Sequence, residues 1–216
     1  MNDPTITQII ALLETVLPSD GFAVLYGSCK PDADIDVLLV QQSPPVAPSL
    51  LLGRLDIVVL DIREANNLAE NLDPLITEPL LTGNIIHGKS DLFRDLKNLV
   101  EESAPSSTGI KHLTRRCFEE LCATERILLE WDTQQNEVCR WAFQNLSYSI
   151  SYGSLARYYG SANARVSTLK DLIEHDKVYL PEFWRCRVQM KRSRKYPATA
   201  VGEWLASWKM TLLQTG

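Results

Sequence analysis

The chain has 216 residues, 45% of them hydrophobic, with 27 acidic against 22 basic side chains and a net charge of −5. That is apolar material for one large or two small cores, and an acid excess argues against nucleic acid as the partner of the chain as a whole. Five scattered cysteines without a Cys-x-x-Cys pair, and only three histidines, argue against a disulfide framework or a zinc site and suit reduced thiols in a cytoplasmic protein.

Asp3-Pro4 starts a helix, with a capping side chain before proline at the first helical position. Ile6, Ile9, Ile10, Leu13, Val16 and Leu17 keep helical spacing until Pro18 and Gly21 stop it. Met1 to Pro4 carries no basic region of a secretory signal, and no 18-residue apolar window predicts a membrane span. A strand over 22–26 runs into the Gly27-Ser28 turn. A second strand over 36–40 is entered through Asp34 and Asp36, which share one face while Ile35 takes the other. A loop with Pro44, Pro45 and Pro48 leads to a strand over 54–60 that holds Asp56. A carboxylate inside an apolar strand needs a partner or a metal. Asp61, five residues on, faces the opposite side and suits a strand end or a cap. Two short helices over 64–82 are separated by Asp73-Pro74. A short strand over 84–87 and a helix from near Ser90-Asp91 follow.

The expected fold class is therefore α/β (α+β). Residues 1–102 form a small mixed sheet with flanking helices, 103–109 a linker of Ser, Pro and Gly, and 110–216 an all-α helical bundle that could bind an acceptor. Ile110, Leu113, Cys117, Leu121, Leu128 and Trp131 form one apolar stripe in that bundle. Val138, Trp141, Ala142, Tyr148, Tyr152, Leu155, Ala156 and Tyr159 form another, and Val201, Trp204, Leu205, Trp208 and Leu212 a third. All five tryptophans lie in this half and read first as core, second as the border of a small-molecule pocket. Glu119, Glu125, Glu130 and Asp132 are either a solvated helix face or acceptor ligands. Arg185, Arg187, Lys191, Arg192, Arg194 and Lys195 fall within eleven residues. They read as a solvated helix end, or as a surface for a triphosphate or an anionic partner such as RNA.

The chemistry sits in the first half. Magnesium is held by a few carboxylates plus substrate phosphates, so Asp34 and Asp36 beside a glycine turn make a place for both. Asp56 joins them if its strand lies alongside. Asp32–Asp34 has the same alternation, but Val37 to Val40 follow Asp36 directly, which sets the pair at Asp34–Asp36. Gly27 lets backbone approach phosphates. The N–H groups of Ser28 and Cys29, the Ser28 hydroxyl and the Lys30 ammonium are candidate phosphate contacts.

Gly27-Ser28, Asp34-Ile35-Asp36 and Leu55-Asp56-Ile57, followed by Leu81 to Gly88, resemble the nucleotidyltransferase domain of the DNA polymerase β superfamily. The likeness is to its minimal nucleotidyltransferases and aminoglycoside adenylyltransferases. The resemblance implies a mixed-sheet core and Mg²⁺ at Asp34, Asp36 and Asp56, with room for two ions. It makes these three the catalytic residues and Gly27, Ser28 and Lys30 the nucleotide-binding ones. It implies transfer of a nucleoside monophosphate, AMP first, from a nucleoside triphosphate to a hydroxyl of a small molecule, with release of pyrophosphate. Five residues separate Ser28 from Asp34, a shorter loop than the family's. Two alternatives stand beside this reading: a minimal nucleotidyltransferase acting as regulator or antitoxin on a partner protein, and a nucleotide-binding protein without catalysis.

Overall fold

The computed structural model describes residues 11, 20–27, 35–43, 49–52, 55–162, 166, 169–175 and 179–214. The chain divides into two compact units, Met1–Ala104 and Pro105–Gly216. The helix expected from Asp3 falls outside the described residues except at Ala11, which is helical.

The first unit is a mixed α/β fold. Its strands are β1 (Phe22–Tyr26), β2 (Ile35–Gln41), β3 (Ser49–Leu52), β4 (Leu55–Asp61) and β5 (Asn84–Gly88), in sheet order β3-β4-β2-β1-β5. β2 and β4 are parallel, and the other neighbours antiparallel. β3 stands where a proline-containing loop was expected. Prolines at 44, 45 and 48 predict a loop, but Ser49 to Leu52 beyond them pair with β4.

Period-two alternation builds both faces of the sheet. Ala23, Val37, Leu39, Leu55 and Ile57 form a buried cluster on one. Phe22, Val24, Leu38, Val40 and Leu60 lie on the other, where Phe22 meets Phe93 edge to face at 5.6 Å. Phe93 belongs to α3 (Ser90–Glu102), which packs with α1 (Ile62–Glu70) and α2 (Pro74–Thr82). The caps explain where these helices start. The Asp61 carboxylate accepts from Glu64 N at 2.8 Å, and the Asp73 carboxylate accepts from Leu75 N at 2.9 Å with Pro74 at the first helical position.

The second unit is helical: α4 (Ser107–Glu130), α5 (Asn136–Ala162), α6 (Leu169–His175), α7 (Tyr179–Ser193) and α8 (Ala198–Gln214). The Ser106 hydroxyl accepts from Gly109 N at 3.0 Å and starts α4 at Ser107, so the connection is 103–106 rather than 103–109. α4 and α5 pack antiparallel along their length. Ser149 Oγ donates to Cys117 O at 2.8 Å and accepts from Trp208 Nε1 at 3.0 Å, which ties α8 to the pair. Gly153 makes room for this, because a Cβ there would strike both the Trp208 ring and Cys117 Sγ. The tryptophans divide: Trp208 is fully buried, whereas Trp131 and Trp141 are 55% and 42% exposed and meet edge to face at 5.9 Å. The stripes containing Trp131, Trp141 and Tyr148 therefore bury only part of their length, since those rings lie at the end or on the outer edge of the α4–α5 seam. No helix among the described residues is long and apolar enough to cross a membrane.

Candidate functional site

Asp36 stands directly opposite Asp56 in the parallel β2–β4 register. Opposed residues in such a register share a face, and neighbouring strands lie about 4.8 Å apart. The two carboxylates are thus side by side. On the other flank of β2, Tyr26 stands opposite Asp36. Tyr26, Asp36 and Asp56 form one row across three adjacent strands, at the end where β1 leaves the sheet and β2 and β4 enter it. One step further along the same face, Val24 and Leu38 are fully buried, whereas all three residues of the row are half-buried. The row marks the rim where an apolar face opens to solvent.

Gly27 closes this rim. Its φ of +78° is a conformation that residues with a Cβ rarely adopt. A Cβ built there would also run into Asp36 Oδ2. Two independent constraints therefore require glycine beside the Asp36 carboxylate: the turn itself and the space the carboxylate takes. Two hard oxygen donors against bare backbone form a donor set that suits magnesium rather than a soft metal.

Ser28, Lys30 and Asp34, together with Cys29, lie outside the described residues. Among the described residues no three His, Cys, Asp or Glu side chains gather as a metal site. Asp61 is at the far end of β4, opposite Gln41, and its carboxylate is committed to capping α1. Tyr26 was not singled out from the sequence. The signal for it was present: Phe22, Val24 and Tyr26 alternate, and an antiparallel return from the Gly27 turn brings the last of them next to Asp36.

Three of the four carboxylates suggested as acceptor ligands have other partners. Glu119 pairs with Arg115 at 2.7 Å, Glu125 pairs with Lys209, and Asp132 accepts from Gln134 N at 3.0 Å in the turn before α5. Glu130 is exposed at the end of its helix.

No family model matches the chain, and no curated protein matches it. Among solved structures, a nucleotidyltransferase-like protein from Exiguobacterium sibiricum aligns with 95% of this chain and 75% of its own, at 10% identity and a TM-score of 0.40. A likeness that loose decides neither the family nor the activity.

Proposed function

We propose that the first unit is a magnesium-dependent nucleotidyltransferase site that moves a nucleoside monophosphate, AMP first, from a nucleoside triphosphate to a hydroxyl of a small molecule. One observation carries the reading: Asp36 and Asp56 stand side by side on parallel strands, with Asp36 against a positive-φ glycine. Like charges this close on a half-buried rim would be favoured by a cation between or beside them.

Asp36 and Asp56, with Asp34 as the proposed third ligand, would hold magnesium. When bound, the ion would neutralise triphosphate charge and make the acceptor hydroxyl a better nucleophile. Gly27 leaves its backbone open to phosphate oxygens, and Ser28 and Lys30 are the proposed contacts to them. The acceptor oxygen attacks the α-phosphorus. The bond from that phosphorus to the α,β-bridging oxygen breaks, and pyrophosphate leaves with the electron pair. In the alternative to its role as a magnesium ligand, Asp56 is the group that would accept the hydroxyl proton.

The test is a transfer assay on the full chain with each α-labelled nucleoside triphosphate, Mg²⁺ and a panel of aminoglycoside-like polyols. The expected result is label on one acceptor with equal pyrophosphate release, both abolished by Asp36→Asn and by Asp56→Asn. Label on a partner protein instead would establish the regulator reading. Triphosphate binding without transfer would establish the non-catalytic one. Transfer undiminished in both Asn variants would overturn the site.

A further inference from the structure

The second unit carries a charge segregation that the chain's net acidity hides. Six of the 22 cations lie between Arg185 and Lys195, and no carboxylate occurs from Phe183 to Gly202. A helix dipole favours cations only in its last turn. Arg185 is in the second turn of α7, so the dipole does not account for it.

α7 has a buried side and an open side. Leu180, Phe183 and Met190 are buried, and Phe183 packs on Phe143 at 5.4 Å and on Trp204 at 5.2 Å. Arg185, Gln189 and Arg192 are exposed at helical spacing on the open side. With Trp184, Val188 and Ser193 they make one continuous open side of the helix. The Arg187 guanidinium sits over the Trp184 ring at 4.5 Å, so the indole is held in place while remaining half-exposed.

The strip is anchored at its C-terminal end. Asn136 donates from Nδ2 to Arg194 O at 3.1 Å and accepts at Oδ1 from Tyr196 N at 2.8 Å, and Tyr196 is buried against Phe143. Arg194, at φ +53°, ends the helix in the left-handed conformation typical of a C-terminal stop. These cations are therefore presented by a fixed surface rather than by a tail. Among the described residues, Arg185, Arg192, Arg194 and Lys195 enter no ion pair.

We infer that the open face of α7, from Trp184 to Lys195, binds single-stranded nucleic acid. Point charges along one helix face can track a phosphate backbone, and a fixed, half-exposed indole offers a platform for one base. A membrane surface is the poorer match, because this face has arginine and glutamine where an interfacial helix needs several bulky apolar residues. The inference concerns the second unit alone and does not rest on the nucleotidyltransferase reading.

The experiment is fluorescence anisotropy on the full chain with a labelled single-stranded oligonucleotide, as RNA and as DNA of one sequence, titrated across salt. The same strand in a duplex and anionic vesicles are the competing probes. Single strands should bind, with affinity falling as salt rises. The double variant Arg185→Glu/Arg192→Glu should bind at least tenfold more weakly and reduce the log–log salt slope by about 1.4. Trp184→Ala should lose about fivefold to a hundredfold, and Trp184→Phe, which keeps a ring, should retain most of the affinity. The arginines are exposed, so the double variant keeps its circular dichroism spectrum. Equal affinity for duplex and single strand with no effect of Trp184→Ala, binding to vesicles alone, or no binding to either strand at low salt would each overturn the inference.

Discussion

Replacing Asp36 with asparagine probes the carboxylate pair through charge alone, because Asn keeps the shape and an acceptor oxygen. Two unit charges on strands about 4.8 Å apart repel by about 1 kcal/mol in water and about 3.5 kcal/mol at an effective dielectric near 20. Asp36 and Asp56 are half-buried. Solvent and salt screen such a pair, so the lower value of about 1 kcal/mol is the working figure. In chelator, Asp36→Asn should therefore raise the midpoint of thermal unfolding of the Met1–Ala104 unit by about 4–8 °C. At Mg²⁺ and triphosphate a hundredfold above their dissociation constant, the unaltered chain gains about 2.7 kcal/mol, and the variant, missing a ligand, gains much less. The stability order should invert between the two conditions. Scanning calorimetry is the assay, since a chain of two compact units can melt in two steps and only the first should move. A variant less stable than the unaltered chain in chelator would mean that the pair is held by its own surroundings and not poised for a cation. An equal Mg²⁺ shift in both proteins would refute the reasoning outright.

Gly27→Ala should cost about 1–3 kcal/mol in urea unfolding for its positive φ and weaken Mg²⁺–triphosphate binding by calorimetry, because the new Cβ displaces the Asp36 carboxylate. Asp61→Ala should cost about 1 kcal/mol through loss of the α1 cap and leave triphosphate binding unchanged. Iodoacetamide at pH 8, read by mass spectrometry, should label exposed Cys122 long before Cys117, whose thiol is buried and pushed above its usual pKa by desolvation. The sign follows. Cys117 favours the fold fully below the pKa of an unfolded thiol, near 8.5, and that contribution is lost as pH rises through the higher folded value, so Cys117→Ala should flatten the alkaline decline in stability.

Much of the first unit was legible because its signals are local. Alternation gave β1, β2 and β4; Asp73-Pro74 marked the break between α1 and α2; and Asp61 was readable as a strand end or cap. Pairing is not local. That Asp36 faces Asp56, and that Tyr26 completes the row, depends on how strands separated by loops line up, and period two alone leaves that register open. β3 was hidden because its four residues follow three prolines. In the helical unit, spacing identified apolar stripes but not how far each is covered. Trp208 and Trp141 lie on stripes of the same kind, yet one is enclosed by the α4–α5 pair and the other is open to solvent.

The most direct test of the central claim is to count manganese, a paramagnetic stand-in for magnesium, bound to the full chain after equilibrium dialysis with a non-hydrolysable triphosphate. Asp36, Asp56 and the Gly27 turn predict at least one bound ion per chain, lost in Asp36→Asn/Asp56→Asn with the fold intact by circular dichroism. An unchanged count in the double variant would contradict the account.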